Sequence, residues 1–140
     1  MNRTLAALAL IGVCATTGAL AQTPIQNLEQ VRKDFAQTVY QNSSADINRG
    51  APQALLRAVV VLQVRLAEDG HWLASVIREN DQQPELTRKA LASVANLPVP
   101  ANLPEALAAQ LRREGFMEAW LFQNDAHFAL KTLALPQRSF

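Results

Sequence analysis

The side chains that could do chemistry are few and scattered along this 140-residue chain. His71 and His127 are the only histidines, and neither belongs to a His-x-x-x-His, Cys-x-x-Cys or carboxylate-histidine cluster with the spacing of metal ligands. The acid pairs Glu68–Asp69 and Glu79–Asp81 lie where a turn and a helix start are predicted. There is no Gly-x-Ser-x-Gly sequence, no phosphate-binding glycine loop and no dinucleotide fingerprint. The sequence therefore predicts no catalytic residue, no cofactor and no metal, and a protein that is not an enzyme.

The first 21 residues are typical of a cleavable secretory signal. Arg3 precedes an apolar run over 5–20, and Ala19 and Ala21 stand three and one positions before the polar Gln22. An uncleaved membrane anchor is the alternative, but the run is short for a span of about 20 residues. A lipid anchor on Cys14 is disfavoured because no small residue directly precedes it. We expect cleavage after Ala21.

The chain that remains after this cleavage is neutral. It carries twelve basic and twelve acidic residues, and the only cysteine leaves with the signal. A neutral chain has no global field that would attract nucleic acid or anionic lipid. We therefore expect a periplasmic or secreted protein with no nucleic-acid partner, no disulfide and no stable membrane span after cleavage.

Residues 59–79 are predicted to form a β-hairpin around which the rest of the chain packs. Leu62, Val64 and Leu66 alternate with polar or small residues, as in a half-buried strand. Asp69-Gly70 suits a two-residue turn. That turn would place Leu66 opposite Leu73 and Leu62 opposite Ile77, and it would direct Trp72 to the other face. Trp72 is then either an anchor for a partner or a residue packed under a helix.

Helices are predicted before and after the hairpin. Apolar residues recur at helical spacing over 25–41 and again over 84–97, where Pro84 suits the first turn. Pro104 is expected to open a short helix that ends at Gly115. Residues 116–135 return to strand character, with Trp120 in the core. Asn124-Asp125 is interpreted as either a turn or a bulge in one long strand.

These elements predict an α+β fold: a small antiparallel sheet of about three strands with helices packed on one face. The expected organisation is a signal peptide over 1–21, an amphipathic helix and loop over 22–53, a domain over 54–135 and a tail over 136–140. The helix over 25–41 is expected to pack on the domain.

The order of these motifs resembles the C-terminal domains of TonB and TolA, the periplasmic ends of two energy-transducing envelope systems. The resemblance rests on the strand and turn over 62–70, on Pro84-Glu85-Leu86 with Arg88-Lys89-Ala90-Leu91, and on Leu97-Pro98-Val99-Pro100. Val39-Tyr40 at the end of the preceding helix is closer to the TolA pattern. The resemblance covers roughly residues 28–135. We expect this chain to lack the family's uncleaved membrane helix and long spacer, which argues against energy transduction, and we predict an additional helix over 103–115.

The resemblance implies a protein-interaction module that binds an envelope protein or peptide by adding a strand to the edge of the sheet formed by the last strand. The expected partner-binding residues are Ala126, His127, Phe128, Ala129, Leu130 and Lys131, with Trp72 as a second candidate surface. The N-terminal helix or a second copy of the chain, as in a homodimer, could instead cover that edge. The alternative function is a small-ligand carrier or hydrolase with a pocket between helix 84–97 and the sheet.

Overall fold

The computed structural model describes residues 25–137, and the expected signal peptide and the end of the tail lie outside this range. The elements in chain order are α1 (Leu28–Asn42), a short 3-10 turn (Ser44–Asp46), β1 (Ala58–Leu66), β2 (Trp72–Arg78), α2 (Pro84–Val94), α3 (Glu105–Arg113), β3 (Phe116–Phe122) and β4 (Phe128–Leu130). The strands form one antiparallel sheet in the order β2-β1-β3-β4. The α+β class is confirmed, with four strands instead of about three. Within residues 25–137, no helix has both the length and the apolar character needed to cross a membrane.

Helix α1 packs on the inner face of the sheet. The Asn27 side chain caps its first turn by accepting a hydrogen bond from the Gln30 amide at 2.9 Å. The buried side of the helix is formed by Val31, Phe35, Ala36 and Val39. The Phe35 ring meets Trp72, Phe116 and Trp120 edge-on, with centroid distances of 5.2–6.4 Å. This aromatic cluster joins the helix to β2 and β3.

The β1–β2 hairpin has a three-residue loop, and the expected two-residue turn is wrong. The Ala67 amide donates to the His71 carbonyl at 2.7 Å, and the Gly70 amide donates to the Ala67 carbonyl at 3.0 Å. Gly70 adopts φ +86°, the left-handed conformation that closes such a loop. The additional loop residue shifts the register by one position, so Leu66 pairs with Trp72.

That shift exchanges the two faces of β2. Trp72 lies on the same inner face as Leu62, Val64 and Leu66, and it is only 8% exposed. Leu62 pairs with Val76 instead of Ile77. Leu73 and Ile77 point away from the core and are 58% and 53% exposed. The apolar inner face of β1 is confirmed, whereas its predicted partners on β2 are wrong.

The two remaining helices begin and end near the proline and glycine residues that predicted their bounds. α2 starts at Pro84, and α3 follows Pro104 and ends just before Gly115. Gly115 adopts φ +63°, and a Cβ on it would lie 2.0 Å from the Val64 carbonyl oxygen. Only glycine fits here, because the chain must turn sharply while touching the backbone of β1.

Asn124-Asp125 is a turn between two strands, as the first of the two interpretations stated. The Gln123 amide donates to the His127 carbonyl at 2.9 Å and the Ala126 amide to the Gln123 carbonyl at 3.0 Å, so the loop has the same form as the first hairpin. Ala126 occupies the position of Gly70, with φ +67°. The expected long last strand is therefore two strands, β3 and β4, which accounts for the fourth strand of the sheet.

Candidate functional site

The outer edge of β4, the predicted docking edge, is covered by the N-terminal part of the chain. Phe128 and Leu130 are fully buried, and each has an outward backbone group that is hydrogen-bonded to the N-terminal part of the chain. The Asn48 amide donates to the Phe128 carbonyl at 2.8 Å, and the Leu130 amide donates to the Tyr40 hydroxyl at 3.0 Å. Ile47 forms an isolated parallel bridge to Phe128. A partner strand can reach this edge only by displacing these contacts.

The other residues predicted at this edge serve the local structure. Ala129 is buried and pairs with Leu121 of β3, so its amide belongs to the existing ladder. The Ala126 carbonyl accepts a hydrogen bond from Lys89 Nζ at 2.9 Å. His127 lies in the turn and not on the strand surface. Lys131 is exposed just beyond β4.

Each hairpin turn holds a histidine beside an aspartate two residues earlier. The Nδ1 atom of His71 lies 3.1 Å from Asp69 Oδ2, and that of His127 lies 3.0 Å from Asp125 Oδ2. The backbone amides of the same histidines donate to Asp69 Oδ1 and Asp125 Oδ1, and these hydrogen bonds lower the pKa of each carboxyl. β1 and β3 are antiparallel, so the two turns lie at opposite ends of the sheet. The histidines therefore cannot act on one substrate or share one metal ion.

Trp72, the second candidate surface, belongs to the core. Its ring packs edge-on against Phe35 and Phe116, with centroids 5.6 and 6.0 Å away. Its indole N–H is buried without an acceptor among the described residues. The buried side chain of Trp72 therefore holds β2, the strand to which it belongs, against the core and is not available as an anchor for a partner.

The free edge of the sheet is β2. Backbone groups along β2 point alternately toward and away from β1. Because the Ala67 amide bonds to the His71 carbonyl, those of Trp72, Ala74 and Val76 point away from β1. No described residue donates to these groups or accepts from them. The strand contains neither lysine nor proline, and Arg78 at its end is its only charge. Soluble proteins normally guard such an edge with these residues or with a covering segment.

Exposed apolar side chains flank this edge. Leu73 and Ile77 project from the outer face, and Val76 is 39% exposed. A register irregularity at Val61–Leu62 limits the regular part of β2 to the stretch before Ile77. The available edge is thus about five residues long, with alternate outward backbone groups and apolar neighbours.

A second candidate site is a cleft of about 820 Å³ between α1 and the half of β3 that extends beyond β4. It will be called the α1–β3 cleft. Its walls are Leu28, Glu29, Arg32, Lys33, Val61, Met117, Glu118, Ala119, Lys131 and Thr132. Arg32 Nη2 donates to the Met117 carbonyl at 3.3 Å and so links the two walls. The sequence analysis placed a pocket against α2 instead, but α2 lines neither this cleft nor a smaller cavity of about 160 Å³ beside Tyr40 and Leu135.

Glu118 is a buried carboxylate that the sequence analysis missed. Its Oε1 accepts from the amides of Ala119 at 2.9 Å and Thr132 at 3.3 Å, and its Oε2 accepts from the Thr132 hydroxyl. These bonds fasten the segment after β4 to β3 and give the carboxylate three hydrogen-bond donors. Its placement among apolar neighbours on an alternating strand was the available signal. We assign Glu118 a structural role, because its hydrogen-bond partners are groups of β3 and of the segment after β4.

Within residues 25–137, no group of three or more histidine, cysteine, aspartate or glutamate side chains is arranged to hold a metal ion. The chain matches no protein-family model, no curated protein and no solved structure. The TonB/TolA resemblance therefore stays a prediction that rests on the motifs alone.

Proposed function

We propose that this protein is a non-enzymatic interaction module that binds an extended segment of an envelope protein or peptide. The segment adds as a strand to the free edge of β2. The observation that carries the proposal is the unpaired and unguarded row of backbone groups at Trp72, Ala74 and Val76. The signal-like sequence over 1–21 supports a periplasmic or secreted location.

Strand addition uses both features of this edge. The backbone groups supply main-chain hydrogen bonds, which give affinity without reading the partner's sequence. Selectivity comes from the side chains beside them. Leu73, and Ile77 just beyond the regular stretch, offer apolar contacts on the outer face, so the preferred segment carries apolar residues about four positions apart.

The TonB/TolA resemblance supports the same mode of binding, because that family adds partner strands at a sheet edge. The edge differs from the one expected from the sequence. In this chain α1 and Ile47 occupy the edge at the C-terminal end, which leaves β2 at the other side of the sheet.

Ala74→Pro tests the proposal because proline removes the outward amide of Ala74 while sparing the ladder with β1. Ala74→Ser is the matched control, since it changes the side chain and keeps the amide. Partners are captured from an envelope extract and identified by mass spectrometry, after circular dichroism has shown that both variants fold. We expect the parent and Ala74→Ser to capture the same partner and Ala74→Pro to lose it.

Amide hydrogen exchange supplies a second readout in the absence of any partner. The amides of Ala74 and Val76 should exchange faster than those of Leu73 and Ser75, which lie in the ladder. Adding the captured partner should slow exchange at Ala74 and Val76. A folded Ala74→Pro variant that still captures the partner as well as the parent would show that β2 is not the docking edge. Concentration-dependent dimerisation abolished by the same variant would identify a second copy as the occupant.

A further inference from the structure

The α1–β3 cleft carries unpaired positive charge. Arg32, Lys33 and Lys131 line it, and none of them forms an ion pair with a described residue. Glu29 and Glu118 are its carboxylates, so the lining has one excess positive charge. Glu118 is already satisfied by its own hydrogen bonds. A bound monoanion would balance the charge of the cleft.

The cleft also has apolar walls. Met117 is 56% exposed at the end of β3 that β4 leaves uncovered, and Leu28 and Val61 also line the cleft. A volume of about 820 Å³ lies in the range of small-molecule sites, which combine apolar walls with a few placed polar groups. A cleft with apolar walls and an excess positive charge suits a ligand that has an apolar part and a negative charge.

We propose that the α1–β3 cleft binds a single-chain amphipathic carboxylate. Its carboxylate lies near Arg32, Lys33 and Lys131, and its hydrocarbon chain lies against Leu28, Val61 and Met117. A guanidinium has five N–H donors, and the structure uses one of those of Arg32 on the Met117 carbonyl, which leaves donors for a carboxylate. The site lies across the sheet from β2, so it does not depend on strand addition.

Titration of the full chain with octanoate, decanoate and dodecanoate, each below its micelle concentration, tests the site by calorimetry. If the chain lies against the apolar wall, each added methylene should raise the affinity about fourfold. Dodecyltrimethylammonium has the same tail and the opposite charge, and it should bind at least tenfold more weakly. Equal binding of the two would mean unspecific apolar adsorption and would overturn the proposal.

Charge-reversal variants locate the site. Lys131→Glu changes an exposed cleft residue and should weaken dodecanoate binding about tenfold or more, whereas Arg88→Glu changes an exposed cation of α2 outside the cleft and should have no effect. Equal affinities for both variants would refute the assignment. NMR shifts that dodecanoate induces at Met117 and Ala119 are expected, and shifts confined to other residues would also refute it. Vesicles of anionic lipid should not compete for the site. Competition by vesicles would point to a membrane surface as the ligand and overturn the single-chain assignment.

Discussion

Tyr40→Phe tests whether α1 is a fixed cover of β4. The substitution removes one oxygen atom and keeps the ring in place. The fully buried Leu130 amide, which donates to the Tyr40 hydroxyl at 3.0 Å, would lose its acceptor. An orphaned buried donor costs about 1–3 kcal/mol. With a slope of about 1.5 kcal/mol per molar urea, the midpoint of unfolding should fall by about 0.7–2 M.

Thr38→Ala is the matched control, because the Thr38 hydroxyl bonds only to the Asp34 carbonyl within the same helix. It should shift the midpoint far less than Tyr40→Phe. Urea titration of both variants by circular dichroism gives the comparison. If Tyr40→Phe unfolds at the same urea concentration as the parent, the Leu130 amide has another acceptor and the cover is loose.

The same residue makes a prediction about alkaline pH. Burial raises the pKa of Tyr40 above its ordinary value of 10.0, against the lowering effect of the Leu130 hydrogen bond, and the charge of Glu118 raises it further. The folded state therefore holds the tyrosine proton more tightly than the unfolded state. This stabilisation is complete below pH 10 and is lost as the pH rises through the folded pKa. Because Tyr40 is the only tyrosine, phenolate absorbance reports it directly. A midpoint at or below 10 would contradict the burial described above.

Four further substitutions, one of them a control, test local features. Gly115→Ala should abolish folding or destabilise the protein far more than Gly70→Ala. The added Cβ would lie 2.0 Å from a β1 carbonyl oxygen at Gly115, whereas nothing lies within 4 Å at Gly70. Urea titration of both variants gives the comparison. Ser93→Ala should cost about 1–3 kcal/mol in the same assay, since the buried Trp120 indole N–H donates to the Ser93 hydroxyl at 2.9 Å. Asp125→Asn should be less stable than the parent at neutral pH. The pKa of Asp125 is lowered, so its charged carboxylate stabilises the folded state and its protonated form does not. The difference in stability should therefore shrink as the pH falls below 3.8.

The helices were predictable because their signals are local. Apolar spacing and proline positions located α1, α2 and α3 within a few residues of their observed bounds. The alternation of β1 likewise identified its buried face. Each of these signals depends on neighbours along the chain, and no distant contact competes with it.

The register of the first hairpin was not predictable from the Asp-Gly pair alone. Asp69-Gly70 suits a two-residue turn, but it also ends a three-residue loop with glycine in the left-handed position. One residue of difference decides whether Trp72 or Leu73 faces the core. The second turn carries the same Asp-x-His pattern, with Ala126 in the place of glycine, and comparing the two turns would have favoured the longer loop.

The cover on the outer edge of β4 was not predictable, because it depends on a contact between distant parts of the chain. Residues 128–130 looked unguarded because they contain no charge or proline. They are covered by Tyr40, Ile47 and Asn48, some 80–90 residues earlier in the chain. No local sequence pattern predicts these contacts. The free edge at β2 followed only once the strand order was known.

The strand order has a consequence for how the molecule folds. β3, the last long strand in the chain, lies inside the sheet between β1 and β4, and β4 then meets α1. During synthesis, α1 and the β1–β2 hairpin emerge with one side of β1 and the apolar face of α1 still uncovered. Contacts of such long sequence separation form slowly, because the intervening chain must first be closed into a loop. The native core therefore cannot close before residues 116–130 have left the ribosome.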